Sequence, residues 1–304
     1  MKSNPFFLFI ILFFIIFFSA CSSAPKRPVE VRADRDMALS QLNLANQSAN
    51  RGRFEEALGL LEEARRLAVS TDDPALRIKT TISRGDFLFS LGRYTEAFRE
   101  WESAASEADS KQAVLASLAR IHSIRGQLIY SELGLSEESL NENENNEGKK
   151  ITLSSVDELR AQLGKEMAAV SSDALSNATA YVTLGLTEKQ AQRWAEAETA
   201  IKRALDIHEK NVYLEDAAYD WFLIASVRSV AGNYDAAIEA LRTAINFDRR
   251  AENGYGLASS WQAMGEVYLK AGRAEESRAA LSRAAEIYRA IGLNDKAEAI
   301  TGKL

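Results

Sequence analysis

Three small residues recur along this chain at fixed intervals. The sets are Ala45, Ala57 and Ala64; Gly85, Ala97 and Ala104; Gly185, Ala197 and Ala204; Ala225, Ala237 and Ala244; and Gly265, Ser277 and Ala284. Within each set the steps are 12 and then 7, and successive sets begin 40, 100, 40 and 40 residues apart. Small side chains at such intervals are what two antiparallel helices need where they cross closely. A period in this range implies a solenoid of stacked helical hairpins, each burying its core against its neighbours. Solenoids present long surfaces that bind more often than they catalyse.

The proline distribution agrees. The only prolines are Pro5, Pro25, Pro28 and Pro74. Proline inside a helix costs about 3 kcal/mol, so the proline-free stretch after Pro74, rich in Ala, Leu, Glu and Arg, reads as nearly all helix. Pro74 follows Asp72 and Asp73, an aspartate cap with proline at the first helical position. No segment alternates with period two, so no strand is expected.

Each set contains a turn and restart: Gly52-Arg-Phe54-Glu-Glu-Ala57, Gly92-Arg-Tyr94-Thr-Glu-Ala97, Gln192-Arg-Trp194-Ala-Glu-Ala197, Gly232-Asn-Tyr234-Asp-Ala-Ala237 and Gly272-Arg-Ala274-Glu-Glu-Ser277. Glycine ends the first helix with a left-handed cap, and the residue two on packs back over the turn. These residues resemble the tetratricopeptide repeat family. Trp221, Ala225, Tyr234 and Ala237 match in one repeat, and Trp261, Gly265, Tyr268, Gly272 and Ala284 in the last. The family's basic repeat has 34 residues, so this chain resembles a longer-helix class with about six more. Five repeats fit, near 38–73, 78–111, 178–211, 218–251 and 258–291.

The 100-residue step holds a departure from the pattern. Residues 112–133 read as one helix, and Ser154 and Ser155 cap a second over 156–170. Between them lies a Glu/Asn-rich stretch with too few apolar residues to order itself. It reads as a polar loop splitting a degenerate third repeat at its internal turn. The second helix of that repeat has two candidate registers, Ala161 with Ala168 or Asp157 with Gly164. The expected fold is all-α, a right-handed α-solenoid of about six antiparallel helix pairs. Repeats 1, 2 and the first helix of 3 occupy 37–135, the insertion 136–153, the rest of repeat 3 and repeats 4–6 residues 154–292, and a capping helix 293–304.

The N-terminus carries a separate message. Lys2 supplies positive charge, and residues 6–18 form an unbroken apolar run. The run is too short for a stable transmembrane helix but suits the hydrophobic region of a secretory signal. Phe18-Ser19-Ala20-Cys21 follows directly. It resembles a bacterial lipobox, in which the cysteine is lipidated and begins the mature chain, although Phe18 departs from the usual leucine. Ordinary cleavage fits worse, because Phe18 is bulky for an Ala-x-Ala-type site and a cut after Ala24 would abut Pro25. The run's length also disfavours an uncleaved anchor helix. The expectation is a signal peptide at 1–20, a lipid on Cys21, and an extended tether at 21–36. Ser22 is not the aspartate that commonly retains lipoproteins at the inner membrane, which points to the outer membrane, facing the periplasm. Cys21 is the only cysteine, so no internal disulfide or cysteine metal site can form. A net charge of −6 argues against nucleic acid as a partner.

Catalytic chemistry is not visible. His122 and His208 lack a second histidine or a carboxylate at metal-ligand spacing and read as surface or packing residues. No nucleophile elbow, P-loop or dinucleotide-binding glycine pattern occurs. Carboxylate pairs such as Glu55/Glu56 and Glu62/Glu63 lie on helices rich in arginine and read as solvated faces. No cofactor, metal or catalytic residue is therefore expected.

The family resemblance implies a concave groove lined by the first helix of each repeat. The matching residues include Ile82, Asp86 and Phe89; Val182, Leu186 and Lys189; Tyr219, Phe222 and Ser226; and Gln262, Glu266 and Leu269. The Lys/Asn arrangement with which some members clamp a C-terminal carboxylate is absent at these positions. The leading expectation is a non-enzymatic, lipid-anchored scaffold or adaptor in the bacterial envelope, holding a protein or peptide. The alternative is a periplasmic partner of a solute-uptake system that binds or channels a small ligand. An apolar cavity around Tyr219 and Phe222 with a closed oligomer favours that alternative, whereas an open, elongated groove favours the adaptor.

Overall fold

The computed structural model describes residues 33–141 and 150–302. The expected signal peptide, Cys21 and the tether up to residue 32 lie outside them, as does the centre of the Glu/Asn stretch. Residues 33–36, assigned above to the tether, are instead helical from the start.

Among the described residues there are helices and no strands. They are α1 (Ala33–Asn50), α2 (Phe54–Ser70), α3 (Pro74–Ser90), α4 (Tyr94–Glu107), α5 (Ala113–Glu132), α6 (Glu137–Asn141), α7 (Val156–Val170), α8 (Ala174–Gln190), α9 (Trp194–Lys210), α10 (Leu214–Val230), α11 (Tyr234–Arg250), α12 (Gly254–Lys270), α13 (Ala274–Ala290) and α14 (Asn294–Thr301). Successive helices pack as hairpins α3/α4, α5/α7, α8/α9, α10/α11 and α12/α13, with α14 laid on the last, and α1/α2 share cores in which Ala45 and Ala49 meet Ala57 and Leu61, and Ala38 meets Leu67 and Ala68. These are the six expected pairs of the α-solenoid. No described helix is long and apolar enough to cross a membrane.

The 40-residue period has a simple origin. From α8 to α13 every helix has 17 residues and every turn three, so a hairpin and its outgoing turn repeat every 40 residues. Each turn reverses the chain through one residue at positive φ. At Gly232 φ is +81°, and the Asn233 N–H donates to Arg228 O at 2.8 Å, the closing bond of a Schellman cap. Pro74 starts α3 as expected, with the Asp73 side chain accepting from the Leu76 N–H.

The small residues sit where the two helices of a hairpin touch. Ala57, Ala97, Ala197 and Ala237 are all 0 % exposed. A Cβ on Gly185 would lie 2.4 Å from Ile201 and 3.2 Å from the Ala197 carbonyl. On Gly265 it would meet Leu281 at 2.6 Å and the Ser277 carbonyl at 3.2 Å. Ala237→Leu should therefore cost about 1–3 kcal/mol by overpacking. Glu239→Gln, which loses only an exposed pair with Arg242, should change stability by less than about 1 kcal/mol. Thermal melts compare the two, and equal shifts would refute the crossing register.

The third repeat departs from the sequence reading in two ways. Neither candidate register for α7 holds: Ala161, Ala168, Asp157 and Gly164 are all exposed. The buried face is Leu159, Leu163 and Val170, so this hairpin packs through large side chains. The compensating small residue is Gly126 of α5, whose Cβ would fall 2.5 Å from Trp101 on the preceding repeat. The insertion is also more ordered than its composition suggests. Its first part forms α6, and Leu140 is buried in the core around Phe98 and Trp101. The Asn141 side chain bonds both the N–H and the carbonyl of Ile151, which returns the chain toward α7. One buried leucine and one bridging amide do what the stretch's average polarity concealed.

Candidate functional site on the inner face

The first helices of the repeats, α1, α3, α5, α8, α10 and α12, turn one face inward, and the stack curls until its ends meet. The turn between α1 and α2 seats on the last repeat. Phe54 meets Tyr255 edge to face at 5.3 Å between ring centroids. Gly52 lies against Leu293 and Ile291, so closely that a Cβ would stand 2.8 Å from the Leu293 Cδ1. The Asn50 side chain bonds Glu215 of α10. Small rotations between repeats, summed over the stack, thus enclose a narrow concavity.

Glycine comparison tests the closure. Gly52 and Gly92 occupy the same cap position with φ of +75° and +78°, but nothing lies within 4 Å of a Cβ built on Gly92. Alanine at either should incur a left-handed backbone penalty of about 1 kcal/mol. Only Gly52→Ala should lose the end-to-end contact, with a larger drop in melting temperature and an increased radius of gyration in solution scattering. Equal responses would mean that the ends do not seat together.

Within this concavity the predicted groove residues separate. Ile82, Val182 and Leu186 are buried in the core and have no free surface to offer, because they sit on the helix face turned to the neighbouring hairpin. Lys189 is also buried, its ammonium bonded to Glu132 of α5. Ser226 is half-buried. Asp86, Phe89, Tyr219 and Phe222 do come together. Asp86 and Phe89 share a cavity of about 240 Å³ with Arg125, Ile129 and Tyr219, so that α10 faces α3 and α5 across the concavity. Tyr219 and Phe222 also line a second cavity of about 220 Å³, with Glu215, Asp248, Tyr255 and Ser259. Gln262, Glu266 and Leu269 line neither. Gln262 donates to Glu266 at 3.1 Å, and Leu269 is 62 % exposed.

Several inner-face residues had no sequence signal of their own. Arg125 and His122 both reach Asp86: His122 Nδ1 lies 2.6 Å and Arg125 3.3 Å from its Oδ1. Burial pushes the Asp86 carboxyl up, but His122 and Arg125 outweigh it and hold it below the usual carboxylate range. Burial lowers His122, only partly offset by Asp86. His208 is paired as well, with its Nδ1 2.6 Å from Asp220 Oδ2 and both groups buried between repeats. Burial opposes charge on His208, and Asp220 overrides it to raise the imidazolium above its ordinary range. Both histidines are packing residues, and each has a carboxylate partner that sequence spacing did not reveal, 36 and 12 residues away and brought near by stacking.

Among the described residues no group of three His, Cys, Asp or Glu is placed to hold a metal ion. The two histidine–aspartate pairs are knit into helix packing, although Asp86 also lines one of the two inner cavities. What such a surface can do is bind, through aromatic faces and carboxylates spaced along a narrow channel.

Tetratricopeptide repeat models match residues 37–71 and 177–212, and a further model of the same repeat matches 215–290. These spans coincide with α1–α2, α8–α9 and α10–α13, so the chain carries tetratricopeptide repeats. No curated protein is significantly similar in sequence. Two solved structures share the fold. The Rap protein complexed with Competence and Sporulation Factor superposes with a TM-score of 0.56 at 12 % identity, covering 88 % of this chain and 74 % of that one. BtubC (BKLC) from P. vanneervenii gives 0.50 at 16 % identity, covering 84 % and 92 %. Identities this low establish a shared architecture and nothing of function.

Proposed function

We propose that this chain is a non-enzymatic, lipid-anchored scaffold of the bacterial cell envelope that holds an extended segment of a partner protein on the inner face of its curled solenoid. The observation that carries the reading is the concavity itself. Its ends meet through Phe54 and Tyr255, and its two inner cavities, of about 220 and 240 Å³, are the size of side chains and not of a folded domain. An extended peptide is the macromolecular occupant that fits such a space. The Rap protein, of the same fold, is seen in complex with a second molecule, which is consistent with this use.

The anchor rests on the N-terminal residues, Lys2, the apolar run 6–18 and Cys21. Cys21→Ser should release the protein from the membrane fraction or leave it unprocessed, and wild-type fractionation and maturation would refute the lipid anchor. Photo-crosslinking from Tyr219 in intact cells tests the binding reading, because it reports what enters the concavity. A crosslinked protein segment supports the scaffold. The second reading, a small-ligand partner of a solute-uptake system, is favoured by one specific observation, the aromatic cavity at Tyr219 and Phe222. It predicts that no protein is crosslinked there and that a small molecule co-purifies.

A further inference from the structure

We propose that the cavity between α10 and α12 is a binding site for a guanidinium group, carried by an arginine of a partner segment or by a free guanidinium compound. The proposal rests on the reading of the inner face as a binding surface and gives that surface its chemistry.

The rings of Tyr219 and Phe222 lie within 12° of parallel with centroids 6.2 Å apart. They stand three residues apart on α10 and stack side by side along the cavity wall. Tyr255 supplies a second aromatic wall from α12. Glu215, one turn before Tyr219, and Asp248, at the end of α11, add two carboxylates. Among the described residues no lysine, arginine or histidine lines this cavity, whereas the neighbouring inner cavity includes Arg125. Lys296 reaches the Tyr255 ring, its Nζ 5.4 Å from the centroid, but it does not line the cavity, and among the described residues no cation acts on Glu215 or Asp248. Burial raises both Glu215 and Asp248 above the ordinary carboxylate range, the direction expected for acids that lack a counter-charge.

A cation relieves that cost, and the shape selects which cation. A planar guanidinium stacks flat on an aromatic face while its edge donates to a carboxylate. An ammonium does only one of these well. Both Asp248 oxygens already accept hydrogen bonds, from Asn253 and Ser260, so Asp248 acts through its charge. Glu215 accepts from Asn50 and keeps lone pairs free for the ligand. The volume of about 220 Å³ holds one such side chain.

The test uses the full chain in detergent micelles, with calorimetric titration of three probes. They are the blocked peptide acetyl-Ala-Arg-Ala-amide, its citrulline counterpart, which keeps the shape and loses the charge, and agmatine. At least one guanidinium probe should bind about tenfold or more tightly than the citrulline peptide. Glu215→Gln and Phe222→Leu should each remove most of that preference, while Glu266→Gln, exposed on α12 and outside the cavity, should leave it intact. Tighter binding of the arginine peptide than of agmatine identifies a side chain as the source, and the reverse identifies a free compound. Binding of both guanidinium probes no tighter than that of the citrulline peptide would overturn the proposal while leaving the peptide-holding reading in place. So would a preference that survives both cavity substitutions, or no binding of any probe at millimolar concentration. Melting curves of each variant separate loss of binding from loss of fold.

Discussion

Trp101→Ala should destabilise the chain by about 3–5 kcal/mol, at the upper end of what a large-to-small change in a core produces. Trp101 is 2 % exposed and sits between two helices that each turn a glycine toward its ring. A Cβ on Gly85 of α3 would lie 2.5 Å from the Trp101 Nε1, and one on Gly126 of α5 would lie 2.5 Å from its Cζ3. The indole fills the space between those backbones, donates from Nε1 to the Ile82 carbonyl at 3.2 Å, and meets Phe89 at 5.7 Å and Phe98 at 5.5 Å between ring centroids. Glycines cannot reach into the void that alanine would leave, so the site collapses poorly, and cavity cost grows with the volume that remains. The same geometry predicts strong coupling. Gly85→Ala should be costly in the wild type, where the new methyl meets the ring, and nearly free in the Trp101→Ala background. Denaturant titration of the four proteins closes the cycle. An equal cost of Gly85→Ala in both backgrounds would show that the two residues are not in contact.

The architecture was legible because each close crossing makes the same demand. Ala57, Ala97, Ala197 and Ala237 are small for one reason, repeated, so periodicity alone exposes them. The third repeat escaped because it meets that demand differently. Gly126 gives way to Trp101 of the neighbouring repeat, while Leu159 and Leu163 of α7 fill the hairpin. A search for paired small residues on α7 could only find its exposed alanines. The inner face was half legible. The resemblance named the right helices, and Asp86, Phe89, Tyr219 and Phe222 meet there. It could not tell those from Ile82, four residues before Asp86, or from Val182 and Leu186 of α8, because the turn of each helix against its neighbour decides which is covered. Closure was invisible for a different reason. It sums small rotations over the stack, and no local pattern records that sum. A finer signal did lie in the repeat. His208 and Asp220 are 12 residues apart, as are Asp248 and Ser260 one period later, and both pairs bond across stacked hairpins. Reading polar positions at the crossing interval would have found the buried pair.

Asp248 makes the second large prediction, one of pH. The carboxyl is buried between repeats, accepting from Asn253 Nδ2 at 2.9 Å and Ser260 Oγ at 3.2 Å, and among the described residues no cation acts on it. Burial raises it from 3.8 to about 7, against the lowering effect of those two hydrogen bonds, and the charge of Glu215 adds to the rise. The folded chain therefore holds this proton more tightly than the unfolded chain. The stability it contributes is fully present below the unfolded value of 3.8 and is lost as pH rises toward about 7, beyond which the ionised form bears its whole burial cost. Roughly three pH decades at about 1.4 kcal/mol each set that cost near 4 kcal/mol at most. Asp248→Asn should remove it. The amide oxygen can accept from Asn253, and its nitrogen can donate to Ser260 Oγ, whose hydroxyl rotates to suit. The variant should match the wild type near pH 4 and be more stable at pH 8, and the difference between the two curves isolates this group from the His208–Asp220 pair. Parallel stability curves from pH 4 to 8 would mean that Asp248 is ionised throughout and that its surroundings stabilise the charge.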